Sequence, residues 1–248
     1  MWLKFIILFS FSTSLWAYKL TPDFQKGFYW SETPISITVI DSDAARKDKI
    51  QTLAQTAIDD WQTRSGLQLW DYVGTGTKNI IRWSNDFARE TNMDPNSVLA
   101  VAIRYTNGPY FAKTEIVING SHTYNQNDAL LRTTLTHELG HTMGLDHSEV
   151  SQAVMAPSLQ PWYSGLHSDD LNGIQEAFRV MEERQVTGYV SPLSYENETS
   201  TPTPMTCGSV GPVAPTGSGF SVNGIVSLAG GLLISFVRKL VQWFKSRL

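Results

Sequence analysis

The sequence predicts an α/β sandwich, and three observations carry that assignment. Ile35, Ile37 and Val39 alternate with Ser36 and Thr38, the period of a strand buried on one face. Ile50, Leu53, Ala54, Ala57, Ile58 and Trp61 then recur at the spacing of one helix face. Strand-like stretches follow at Leu67 to Val73 and Asn79 to Trp83, so a strand, a long helix and further strands give at least one parallel crossover.

Composition sets the bounds. Of 248 residues, 42% are hydrophobic and 17% charged, enough apolar side chain for the core of one domain with appendages. The net charge of -4, with no basic stripe outside the extreme C-terminus, argues against a nucleic-acid partner. With Cys207 as the single cysteine, no intrachain disulfide can form, so the core and any bound metal must hold the domain together. A monomer is expected.

Lys4 precedes the apolar run Phe5 to Phe11, and small or polar residues lead to Ala17. This is the pattern of a secretory signal peptide over residues 1–17, with Tyr18 near the mature N-terminus and the protein exported to an extracellular, periplasmic or cell-surface location. Residues 18–30 read as irregular. Asp43 is an N-cap for the first long helix, and Gly66 stops it. Val98 to Tyr105 and Ala112 to Asn119 form a hairpin connected through Asn107 and Gly108. Asp128 is the expected cap of a second long helix, with Leu131, Leu135, Leu139 and Met143 as its buried stripe.

That second helix carries the chemistry, in the stretch HELGHTMGLDH from His137 to His147. Residues four apart share a helix face, so His137 and His141 can reach one ion. Gly144 allows a turn with positive φ that brings His147 back as a third ligand. Three imidazoles leave one position open, as in a catalytic zinc site. Glu138, beside the first ligand, is placed to take a proton from water. By composition such a pattern arises by chance on the order of once in ten million starting points.

The pattern HExxHxxGxxH resembles the metzincin zinc endopeptidases, and HELGHTMGLDHS, with Ser148 after the third histidine, is similar to their matrixin branch. Met155 in VMAP stands where that clan places a methionine in a turn beneath the zinc, although alone it reads equally as a core residue. The resemblance implies a zincin fold: a mostly parallel, five-stranded twisted sheet with an antiparallel edge strand, packed on two long helices, and a C-terminal helix after the methionine turn. Ser168 is the expected cap of that last helix, whose buried face is Leu171, Ile174, Phe178 and Met181. The catalytic domain is expected over residues 18–184.

Implied activity is hydrolysis of peptide bonds in extracytoplasmic proteins, with one catalytic Zn2+ and Glu138 as general base. The family further implies that an extended peptide adds to the edge strand, which points to Leu99, Ala100, Val101, Ala102 and Ile103, an internal strand without that role being the alternative. Trp162 and Tyr163 are candidates for the wall of the specificity pocket or for shielded core aromatics. Ca2+ is a further candidate at Asp86, Glu90 and Asp94, a cluster that equally suits plain solvation. No cysteine precedes the zinc helix in this sequence, so latency through a cysteine thiolate is not expected. Outside the catalytic three, only His122 and His167 exist, too few for a second, structural zinc.

Residues 185–219 turn to Ser, Thr, Pro and Gly and read as a linker. Residues 220–248 are apolar and then basic, with Arg238, Lys239, Lys245 and Arg247. Three readings stand for them: a membrane anchor, a sorting signal, and an amphipathic helix on a membrane surface; Cys207 suits the sorting signal and equally a free linker thiol. Two functions follow, an active endopeptidase acting on protein or peptide substrates, and an inactive membrane-tethered binding protein of the same fold.

Overall fold

In the computed structural model, residues 17–159, 165–197 and 203–212 are described. Residues 1–16 of the expected signal segment, Trp162, Tyr163 and the apolar C-terminal segment lie outside them. No helix among the described residues is long and apolar enough to cross a membrane.

The N-terminal stretch, expected to be irregular, contains the short helix α1 (Pro22–Gln25). Strand β1 (Ile35–Ile40) buries Ile35, Ile37 and Val39, as their alternation requires. Helix α2 (Ala44–Ser65) begins at Asp43, whose carboxylate accepts from the Arg46 amide, a cap contributing about 0.5 to 2 kcal/mol. It ends at Gly66, with φ at 75° in the left-handed region.

Strands β2 (Trp70–Tyr72) and β3 (Ile80–Ser84) flank β1 in parallel, and the short helix α3 (Phe87–Thr91) follows. Strands β4 (Ala100–Asn107) and β5 (Tyr110–Asn119) form the hairpin, with β5 parallel to β3 and β4 antiparallel to β5. These five strands, in the order β2, β1, β3, β5, β4, make the expected mixed sheet, parallel except for β4. Helix α4 (Asp128–Thr142) packs beside α2. Helix α5 (Ser168–Thr187) closes the core.

Two caps differ from expectation. Asn127, rather than Asp128, caps α4: its side-chain oxygen accepts from the amides of Ala129 and Leu130, while Asp128 is ion-paired with Lys49. His167, rather than Ser168, caps α5: its Nδ1 accepts from the Asp169 amide, and Asp170 accepts in return from the His167 amide.

The stretch 185–219, expected as a linker, carries structure where it is described. Helix α5 continues to Thr187, and Tyr29 Oη donates to the Tyr189 carbonyl at 2.8 Å. Ser191 and Ser194 are buried, and Ser191 Oγ donates to the Lys26 carbonyl at 2.5 Å. Two further strands extend the sheet beyond β4. They are β6 (Ser158–Leu159) and β7 (Thr203–Pro212), and β7 lies between β4 and β6.

Candidate metal centre

Helix α4 is fixed from several sides before any side chain of the site is considered. Leu131, Leu135, Leu139 and Met143 are fully buried in the stripe that the spacing predicts. Three indole N–H groups from other elements add direction. Trp61 Nε1 donates to the Thr136 carbonyl at 2.8 Å, Trp30 Nε1 to the Thr142 carbonyl at 2.8 Å, and Trp70 Nε1 to Thr142 Oγ1 at 2.9 Å. Buried indoles with a satisfied N–H bring large apolar area together with one defined hydrogen bond, which fixes rotation of the helix as well as distance.

On the opposite side Arg104, fully buried in β4, donates to the His141 carbonyl near the end of α4. The same guanidinium grips the Asp23 carboxylate, Nε to Oδ2 at 2.9 Å and Nη2 to Oδ1 at 2.7 Å, and reaches Thr21 Oγ1 at 2.9 Å. N-terminal segment, sheet and metal helix are thereby tied at one buried ion pair. Neither residue stands out in the sequence, since they lie 81 positions apart.

After α4 the chain turns at Gly144, whose φ is 96° and where a Cβ would overlap the Phe24 ring. The following loop pairs with the N-terminal segment: the Thr21 amide donates to the Gly144 carbonyl and the Asp146 amide to the Lys19 carbonyl, both at 2.8 Å. This places His147 opposite His137 and His141. The three ring centroids lie 4.6, 5.3 and 5.1 Å apart, and one ring nitrogen from each falls within 4.8 Å of the others.

Hydrogen bonding sets the tautomers. His137 Nδ1 lies 2.6 Å from the Val154 carbonyl and His141 Nδ1 lies 2.7 Å from the Leu145 carbonyl. A carbonyl only accepts, so each Nδ1 carries the proton and each Nε2 keeps its lone pair. The two Nε2 atoms are 2.9 Å apart. Tetrahedral zinc with bonds of 2.0 to 2.1 Å sets its nitrogens about 3.3 Å apart, so a small adjustment accommodates the ion. His147 Nε2 is buried with no hydrogen-bond partner among the described residues, an arrangement that an imidazole–metal bond resolves.

Burial holds these rings neutral, as metal ligands must be. Desolvation first, and then the charge of His147, pushes His137 down to about 3. Desolvation first, and then His137 and His147, drives His141 well below its ordinary value, and desolvation also lowers His147. The donor set therefore fits zinc: three neutral imidazoles, two with an oriented second nitrogen. Glu138 is fully buried on α4 beside His137.

Met155 lies beneath this helix. It packs against Gly140, where a Cβ would overlap Met155 Sδ. Asp170 holds the turn from below, accepting from the amides of Val154 at 2.9 Å and Met155 at 3.0 Å. Asp169 accepts from Ser148 Oγ at 2.6 Å and from the Tyr18 amide at 3.0 Å. Both carboxylates are positioning residues that sequence reading missed; the only signal was a pair of acids at a helix start, which the dipole alone explains.

Leu99, Ala100, Val101 and Ala102 are fully buried and Ile103 partly so. Val101 packs with Phe87 and Val117, whereas Ala102 joins the main core, so their side chains are committed to the protein, and the backbone of β4 is paired with β5 on one side and β7 on the other. Calcium finds no support. Asp86 is paired with Arg89, Glu90 with Arg82, and Asp94 accepts from Asn96 and Ser97, so the three carboxylates are engaged by separate partners. His122 is a turn residue, its Nδ1 accepting from the Tyr124 amide at 3.2 Å.

Comparison with known sequences fits this geometry. The profile of the family described as Matrixin matches residues 29–179. The chain is similar to matrix metalloproteinase-2 of Drosophila melanogaster, 28% identical over an alignment of 176 residues that covers 64% of this chain and 22% of that protein. It is 36% identical to matrix metalloproteinase-19 of Mus musculus over 117 residues, 45% of this chain and 21% of the relative. It is 48% identical to matrilysin of Rattus norvegicus over 46 residues, 17% of either protein. The chain thus spans between 17% and 22% of the length of these relatives.

Proposed function

The chain belongs to the matrixin family, and from that premise we propose that it is a zinc-dependent endopeptidase acting on extended peptides and proteins. The observation that carries the reading is the convergence of three imidazole nitrogens within 4.8 Å, on a buried helix that also presents Glu138. His137, His141 and His147 would hold the ion. When bound, zinc supplies Lewis-acid polarisation of a carbonyl and makes a nearby water more acidic.

Glu138 then does the proton work. Its carboxylate accepts a proton from the attacking water as the water oxygen bonds to the carbonyl carbon, and returns it to the amine nitrogen as the carbon–nitrogen bond breaks. A protein that only binds has no need of that carboxylate, so its presence in the motif favours the enzyme. The backbone of Leu99 to Ile103 is proposed to align the peptide by strand pairing, which selects for extended chain rather than for sequence. Export is proposed from Lys4 and the apolar run after it, so substrates would be met outside the cytoplasm. The test is hydrolysis of unfolded casein by the purified chain, abolished by a chelator and restored by zinc. No hydrolysis with zinc at full occupancy would reject the reading.

A further inference from the structure

The outer side of β4 is the proposed peptide edge, and it is bonded to the chain's own residues 203–212. Strand β7 runs antiparallel to β4, with Val210 opposite Ala100, Ser209 opposite Val101, Cys207 opposite Ala102 and Thr206 opposite Ile103. Its far end pairs in parallel with β6, Gly211 with Ser158 and Pro212 with Leu159, just beyond the Met155 turn. It also packs against α4, which carries His137, Glu138 and His141. A ten-residue extended segment therefore lies in a slot walled by the edge strand, the metal helix and the segment after the methionine.

We infer that Thr203–Pro212 is a built-in occupant of the peptide-binding edge, which any extended peptide must displace before reaching the site. The inference rests on the reading of β4 as the substrate strand. Backbone groups of an edge strand can pair with one neighbour on that side, so β7 and a substrate compete for the same donors and acceptors.

The segment is made to be displaced. Pro204 and Pro212 lack amide donors, Gly208 and Gly211 are poor strand formers, and the register slips by one residue between Val101 and Ala102. Its hold comes from tethering. Ser191 and Ser194 are buried against the body and a short 3-10 helix runs on to Asn197, which leaves only residues 198–202 between it and Thr203. A short tether gives an effective concentration on the order of 1 mM. A segment whose free affinity is about 0.1 mM would then fill the edge roughly nine-tenths of the time and weaken a competing peptide about tenfold.

The test uses the full chain and its Met205→Pro/Thr206→Pro variant. Successive amides of a strand point to opposite edges, so one of two adjacent prolines must remove a donor facing β4. The probe is a fluorescent peptide with the sequence of residues 203–212, whose binding is read by anisotropy and does not depend on turnover. The variant should bind it about tenfold more tightly than wild type. Hydrogen exchange should show the β4 amides that face β7 protected in wild type and exposed in the variant. Equal affinities, or unprotected β4 amides in wild type, would overturn the inference, and exchange of wild type alone decides if the variant fails to fold. Casein hydrolysis is read separately. A variant that binds the peptide more tightly yet cleaves nothing keeps the occupancy inference and rejects the enzyme.

Discussion

Gly140 lies so close to Met155 that a methyl group on Gly140 would overlap the methionine sulfur. The metal helix and the turn beneath it touch at this point, and the contact has no slack: the same methyl would also stand 3.2 Å from Trp61 Cζ2. Gly140→Ala should therefore destabilise the fold by about 1 to 3 kcal/mol, the range for overpacking a dense core. Urea denaturation measures it. In a double-mutant cycle Met155→Ala should relieve part of the cost of Gly140→Ala, since the two substitutions share the space.

The Asp23 and Arg104 pair makes a second prediction. Both side chains are buried, and Arg104 also carries the His141 carbonyl. Asp23→Ala leaves an uncompensated buried guanidinium and should cost about 3 to 5 kcal/mol. Replacing both, as Asp23→Ala with Arg104→Met, should cost clearly less than the sum of the single changes. Chemical denaturation of the four proteins decides it.

Asp170 accepts the Val154 and Met155 amides, and the Val154 carbonyl in turn orients His137. Desolvation raises the Asp170 carboxyl above its ordinary value, the amides of Met155, Val154 and His167 opposing it. Asp170→Ala removes the acceptor and should weaken zinc binding about 10- to 100-fold, as loss of an outer-sphere support does. Competition with a chromophoric chelator measures this. Unchanged zinc affinity would show that the turn keeps its shape without the carboxylate.

The histidines set the response to acid. His137 is held at about 3 and His141 well below its ordinary value, against about 6.5 in an unfolded chain. As pH falls the unfolded chain takes up protons first, so stability is full above about 6.5 and declines from there toward about 3. Zinc affinity falls in the same direction because protonated imidazole cannot ligate. Urea midpoints of the zinc-free and zinc-loaded protein between pH 7.5 and 5 test the sign. A midpoint that stays flat or rises over that window contradicts it.

Much of this was legible locally. The stripe from Leu131 to Met143, the stop at Gly66 and the turn at Gly144 are each fixed by a few neighbouring residues, and the three histidines follow from helix geometry plus one glycine. What the sequence hid depends on distant partners. Arg104 and Asp23, or Tyr18 and Asp169, acquire meaning only when residues 81 or 151 positions away arrive. The caps at Asn127 and His167 were displaced by one residue, because the neighbouring Asp128 took an ion pair with Lys49 and an imidazole nitrogen did the work of a hydroxyl. Strand β7 was unreadable for another reason. Its prolines and glycines mark a linker, and it is a strand through pairing with two distant partners, β4 on one side and β6 on the other.

The most direct test of the metal centre and its chemistry is one preparation of Glu138→Gln, assayed for both zinc content and casein hydrolysis. The substitution preserves size and leaves His137, His141 and His147 in place while removing the basic carboxylate. One zinc per chain with hydrolysis reduced by at least about 100-fold is the predicted result. Zinc retained with hydrolysis at the wild-type rate would contradict the assignment of Glu138 as the base.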